Sequence, residues 1–133
     1  MKVGRRKWEV GNSSMSEPHL KKRMKAFAVR VLKLVDALPD TIAGRALGSQ
    51  IVRSGTAVAA NYRAAQRAKS TAHFISKLGD VEEEADETLF WLELLEEGEM
   101  LPAKRLAAIK QEANELVAIV VASLNTAKKK RER

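Results

Sequence analysis

Hydrophobic residues fall into four runs that recur every three or four positions, the spacing of one face of an α-helix. In the first run, Leu20, Met24, Phe27, Val31, Leu34 and Leu38 make a narrow seam that ends at Pro39. Ser16 offers this helix an N-cap, with Glu17 and Pro18 in the first turn, where both are favoured. The second seam is Leu47, Ile51, Ser54, Val58, Asn61 and Ala65, on a helix from Ile42 or Gly44 to Ala68. A stripe of Ala57, Ala60 and Ala64 lies beside it, and Gly48 and Gly55 interrupt it at some cost in helix propensity. Close approach of another helix is the expected reason for those glycines. Ser70 caps a third helix from Thr71 to Glu97, with Phe74, Leu78, Val81, Ala85, Leu89, Leu92 and Leu95 inward and Gly98 as its stop. Pro102 opens a fourth, with Leu106, Ile109, Ala113, Leu116, Val120 and Leu124 as its seam and a frayed basic tail expected after Ala127. No stretch alternates as a strand would. Short connections between four long helices predict an all-α fold, an up-and-down antiparallel four-helix bundle. The bundle is expected over residues 16–127, with a flexible basic arm at 1–15 and a basic tail at 128–133.

Composition narrows this only a little. At 133 residues, 45% hydrophobic and 31% charged, the chain fits one folded domain with its own core. The absence of cysteine excludes disulfides, thiolate metal sites and a cysteine nucleophile. No apolar run approaches the roughly 20 residues that span a bilayer, and the first residues lack the apolar stretch of a secretory signal. A cytoplasmic protein without a membrane partner is the expectation.

Charge is sorted along the chain. From Thr41 to Gly79 there is no acid, while Arg45, Arg53, Arg63, Arg67, Lys69 and Lys77 are basic; from Asp80 to Glu99 the sign inverts, with no Lys or Arg. Segments of opposite sign are suited to meet, within one chain or between copies. Arg53 and Arg67, two heptads apart, face a stripe of Asp80, Glu84 and Glu87 on the next helix. Arg53, Asn61, Arg67, Glu84 and Glu87 are therefore expected to form a structural or oligomer-forming polar network, in which a buried Asn61 would fix register. The net charge of +7 leaves a basic excess. Candidates for contact with RNA or DNA are Lys21, Lys22, Arg23, Lys25, Arg63, Lys69, Lys128, Lys129, Lys130 and Arg131, with Tyr62 and Trp8 able to stack on bases. Binding of that kind is phosphate-driven and salt-sensitive.

Enzymatic chemistry finds little footing. Glu83 and Glu87, or Asp80 and Glu84, share a helix face, but a di-iron bundle also needs Glu-x-x-His pairs, and Ser16 and Ser70 stand three residues before the two histidines. There is no Gly-x-Ser-x-Gly elbow, and Gly44-x-x-x-Gly48 lacks the Lys-Ser/Thr of a phosphate loop. No catalytic residue, metal or cofactor is expected.

The central segment Gly44-Arg45-Ala46-Leu47-Gly48-Ser49-Gln50-Ile51-Val52-Arg53-Ser54-Gly55-Thr56, with Ala60-Asn61-Tyr62-Arg63-Ala64-Ala65-Gln66-Arg67-Ala68, can be read with the segments that follow it. Those are Phe74-Ile75-Ser76-Lys77-Leu78-Gly79 and Glu82-Glu83-Glu84-Ala85-Asp86-Glu87-Thr88-Leu89-Phe90-Trp91-Leu92. Together they resemble the bacterial four-helix-bundle family of 23S rRNA intervening-sequence proteins, over Phe27 to Val121. The resemblance implies a homopentameric barrel of bundles. It also implies kinship in fold with the accessory variability determinant of diversity-generating retroelements, which partners a reverse transcriptase and binds nucleic acid. Many relatives carry Asn-Ile-Ala-Glu-Gly where this chain has Asn61-Tyr62-Arg63-Ala64-Ala65, so a role tied to that acid does not carry over. Two readings stay open: a non-enzymatic, oligomeric nucleic-acid-binding accessory protein, or a homo-oligomeric scaffold that binds another protein.

Overall fold

Capping chemistry sets where the helices begin. A computed structural model describes residues 17–132, which form α1 (Glu17–Val35), α2 (Ile42–Gln66), α3 (Thr71–Glu97) and α4 (Ala103–Arg131). Thr41 stands before α2 with extended backbone and its Oγ1 accepts from the Gly44 amide at 3.0 Å. Ser70 does the same for α3, accepting from the His73 amide at 3.0 Å. Each hydroxyl satisfies one of the amides that a first turn leaves without an intrahelical partner. The Ser16 cap and the arm at 1–15 lie outside the described residues.

The ends of α1 and α4 differ from expectation, and that of α3 agrees with it. α1 stops at Val35, because Pro39 disfavours helical backbone before it, and Leu38 folds back half-buried against the core. α3 stops as expected, ending at Glu97 with Gly98 as its C-cap at an ordinary φ of −82°, and the chain turns from Glu99. The left-handed residue is Glu99, with φ 56°. Its amide donates to the Glu96 carbonyl at 3.0 Å and that of Met100 to the Leu95 carbonyl at 2.9 Å, the two bonds of a Schellman motif. α4 runs unfrayed past Ala127 to Arg131.

α1 packs on α2 and α4, and α3 packs on the same two helices, which closes an antiparallel bundle. Gly55 fixes the α1–α2 crossing. A Cβ there would lie 2.8 Å from both methyl groups of Val31, and one at Gly48 would lie 3.1 Å from Val35 Cγ1. Close approach is thus why α2 tolerates both glycines. The core is built from the expected seams of α1, α3 and α4, with Ile75, Ile119 and Ala127 added.

The seam of α2 needs one correction. Tyr62, expected on the surface, is 4% exposed, whereas Asn61 is only half-buried. Both fit one turn after Val58, and the phenol ring removes far more apolar area from water than a carboxamide would. On α3 the polar residue won instead. Thr88 is 0% exposed and Leu89 is half-buried. Thr88 Oγ1 lies 2.7 Å from the Glu84 carbonyl and 2.7 Å from Ser54 Oγ, itself buried on α2. With one proton per hydroxyl, Thr88 donates to the carbonyl and accepts from Ser54, so both buried groups are satisfied.

Candidate functional site

Up-and-down topology brings the start of α1, the end of α2, the start of α3 and the end of α4 to one end of the bundle. Two surface grooves mark it. Lys21 and Lys25 of α1 face Ala59, Ala60 and Arg63 of α2 across a groove of about 300 Å³. Ile75 and Gly79 of α3 face Leu124 and Lys128 of α4 across another of about 630 Å³, which runs from this end along α3 to Asp80, Glu82, Glu83 and Asp86. The same end therefore carries Lys21, Lys22, Lys25, Arg63, Arg67, Lys69, Lys128, Lys129, Lys130 and Arg131. All are exposed except the half-buried Lys130. Arg63 sits in the last turn of α2 and Lys128 to Arg131 in that of α4. There they complement the negative ends of two helix dipoles, which stabilises the helices that present them.

None of these ten residues makes an ion pair among the described residues, whereas Arg23, Arg45, Arg53, Lys77 and Lys110, five of the nine Lys and Arg elsewhere among them, do. Arg23 is the clear case. It was expected to face nucleic acid, yet its Nη2 donates to Glu112 Oε1 at 2.6 Å and to Glu115 Oε1 at 3.0 Å, and its Nε to Glu112 Oε2 at 3.0 Å. The bidentate bond to Glu112 outweighs partial burial and holds the guanidinium charged even more firmly than usual. Arg23 joins α1 to α4 and belongs to the fold. Lys110 likewise donates to Glu96 at 2.7 Å across α3 and α4, and that bond raises its pKa.

Arg67 moves the other way. Arg53 meets the acidic stripe as expected, donating to Glu84 at 3.2 Å and to Glu87, which also accepts from Trp91 Nε1 at 3.1 Å. The α2–α3 hairpin is antiparallel, so Arg67 lies opposite the first turn of α3, short of Asp80, Glu84 and Glu87. It makes no ion pair among the described residues and adds to the basic end. Being half exposed, the Arg53 pairs contribute at most about 1 kcal/mol each. Asn61, expected to fix register from within the core, stands at its edge.

Further along α3 the sign changes: Asp80, Glu82, Glu83 and Asp86 line the groove against α4. Phe90, 50% exposed, packs edge-on against Trp91 with ring centroids 5.2 Å apart. Among the described residues no group of three His, Asp or Glu could hold a metal ion, and no helix is long and apolar enough to cross a membrane. The convergence of cations from four separate stretches was the feature that residue-by-residue reading missed; the predicted topology alone carries it.

Comparison with known proteins places the chain. The family model described as "23S rRNA-intervening sequence protein" matches residues 18–122. A solved structure from Bacteroides thetaiotaomicron, a protein of unknown function from the S23 ribosomal protein family, is 34% identical with a TM-score of 0.75. The match covers 79% of this chain and 97% of that one. No protein with a curated description matches. The match takes in the bundle up to residue 122 and leaves out the arm and the last turns of α4: the chain belongs to the family of 23S rRNA-intervening sequence proteins.

Proposed function

We propose that this protein is a non-enzymatic nucleic-acid-binding accessory protein that works as an oligomer and engages phosphates with the basic end of its bundle. The observation that carries the reading is the gathering of ten cations there, free of carboxylate partners among the described residues. A surface of this kind neutralises phosphates and releases their counterions, so affinity falls steeply with salt. Oligomerisation would multiply each weak contact through avidity. The family's printed name mentions 23S rRNA, which makes structured RNA the first ligand to try.

The test is binding of the purified protein to labelled structured RNA and duplex DNA over a salt series. The reading expects submicromolar affinity at low salt and a loss of about a thousandfold between about 50 and 200 mM. An assembled protein that binds neither nucleic acid at low salt would refute it. A second reading, a homo-oligomeric scaffold, is supported by the apolar side chains left on the surface. Val29 and Leu32 lie exposed on α1 near Lys25 and Lys33, and Phe90 on α3 near Asp86 and Glu93. Pairing of those two faces between copies would bury apolar area and match opposite charges.

A further inference from the structure

We propose that the basic end takes double-stranded nucleic acid by its phosphates, holding both backbone ridges that border one groove, and discriminates against single strands. The inference rests on the nucleic-acid reading above and names the ligand class.

Proteins that hold single strands pair a cationic track with aromatic side chains on which bases stack. Among the described residues the basic end lacks that platform. Tyr62 and Phe74, the aromatics closest to it in sequence, are each 4% exposed and belong to the core. The exposed ring of Phe90 lies further along α3, among acids. The floor of the α1–α2 groove is Ala59 and Ala60, whose methyl groups neither stack nor read a base edge. Imidazoles are the sole rings exposed there among the described residues: His19 and His73, the latter accepting from the Lys69 amide at 3.4 Å.

Seven of the ten cations stand in two clusters, with Lys22 beside Lys21 on α1 and Arg67 and Lys69 in the α2–α3 connection. Lys21, Lys25 and Arg63 ring the groove between α1 and α2, with Lys21 and Lys25 one turn or about 6 Å apart along the axis. Lys128, Lys129, Lys130 and Arg131 extend from α4, which adjoins α1 on its other side. Neighbouring helix axes lie about 8–10 Å apart, so the clusters are separated by about 10–20 Å. The major groove of B-DNA is about 12 Å wide between its phosphate ridges. A duplex can reach both clusters at once and offers twice the phosphate density of one strand. A single strand offers half that phosphate density and must be ordered into a bent path to reach both clusters. The α3–α4 groove, lined by Asp80, Glu82, Glu83 and Asp86 with Lys128 at its end, repels phosphate from the adjoining face and so leaves Lys129, Lys130 and Arg131 as the cations of α4 best placed for the duplex.

The experiment is a competition with full-length protein between a hairpin duplex and an unstructured strand of equal length, in DNA and RNA forms, at one salt concentration. The duplex of either sugar should bind at least about tenfold more tightly, DNA across its major groove and RNA across its wide, shallow minor groove. A variant without the remaining candidate rings, W8A/H19A/H73A, should keep that preference. Equal or tighter binding of the single strand, or loss of the preference in that variant, would overturn the duplex proposal while leaving nucleic-acid binding itself intact. Failure to bind any of the four probes would remove both.

Discussion

Adding one methyl group at Gly55 and one at Gly79 should move stability in opposite directions, although both glycines lie inside helices. Alanine is favoured over glycine in a helix interior by about 1 kcal/mol. At Gly79 nothing lies within 4 Å of the new Cβ, so G79A should realise that gain and raise Tm by about 3–4 °C. At Gly55 the Cβ would stand 2.8 Å from Val31 Cγ1 and Cγ2 and 3.1 Å from Val31 Cβ. Val31 is fully buried and β-branched, so it has little freedom to rotate away. Overpacking of this kind costs about 1–3 kcal/mol, which exceeds the propensity gain and leaves G55A destabilised by about 1–2 kcal/mol. Denaturant titration followed by far-ultraviolet circular dichroism measures both variants. In a V31A background the obstructing methyls are gone, and G55A should then become neutral or stabilising. If G55A and G79A shift stability in the same sense, or V31A fails to relieve G55A, the crossing is not set by contact at Gly55.

Other expectations follow from the buried and bridging groups. T88V should cost about 1–3 kcal/mol because it strips the buried Ser54 hydroxyl of its acceptor, and adding S54A should recover about 1 kcal/mol in a double-mutant cycle. R23A should destabilise by about 1–3 kcal/mol by leaving Glu112 short of its partner, yet leave the affinity for nucleic acid and its salt slope unchanged, since that charge is already matched. E99G should raise stability by about 1 kcal/mol, because glycine adopts the left-handed φ of 56° without the steric penalty borne by Glu99; thermal denaturation reads it directly.

Four helices and most of the core were legible because three seams hold their period over many turns, so small drifts never change which residue faces inward. Where two candidates shared one turn, periodicity alone could not choose. At Asn61 and Tyr62 apolar area decided; at Thr88 and Leu89 a hydroxyl from another helix decided, and no local pattern reveals that neighbour. The Arg53 contact with Glu84 and Glu87 could be foreseen because a short turn fixes the register of α2 on α3. The bridge from Arg23 to Glu112 and Glu115 could not, since it depends on how α1 sits along α4 after two intervening helices. That register also sorts the cations into those that hold the fold and those left facing solvent.

The most direct test of the account compares the salt dependence of duplex binding by the wild-type protein and by K21A/K25A/R63A. All three residues are exposed, so the bundle should stay folded. Each phosphate contact contributes about 0.9 to the slope of log affinity against log salt, so the variant's slope should be shallower by about 2 to 3, with affinity reduced at every salt concentration. A folded variant that binds with the wild-type slope and affinity would contradict the claim that the basic end is the nucleic-acid surface.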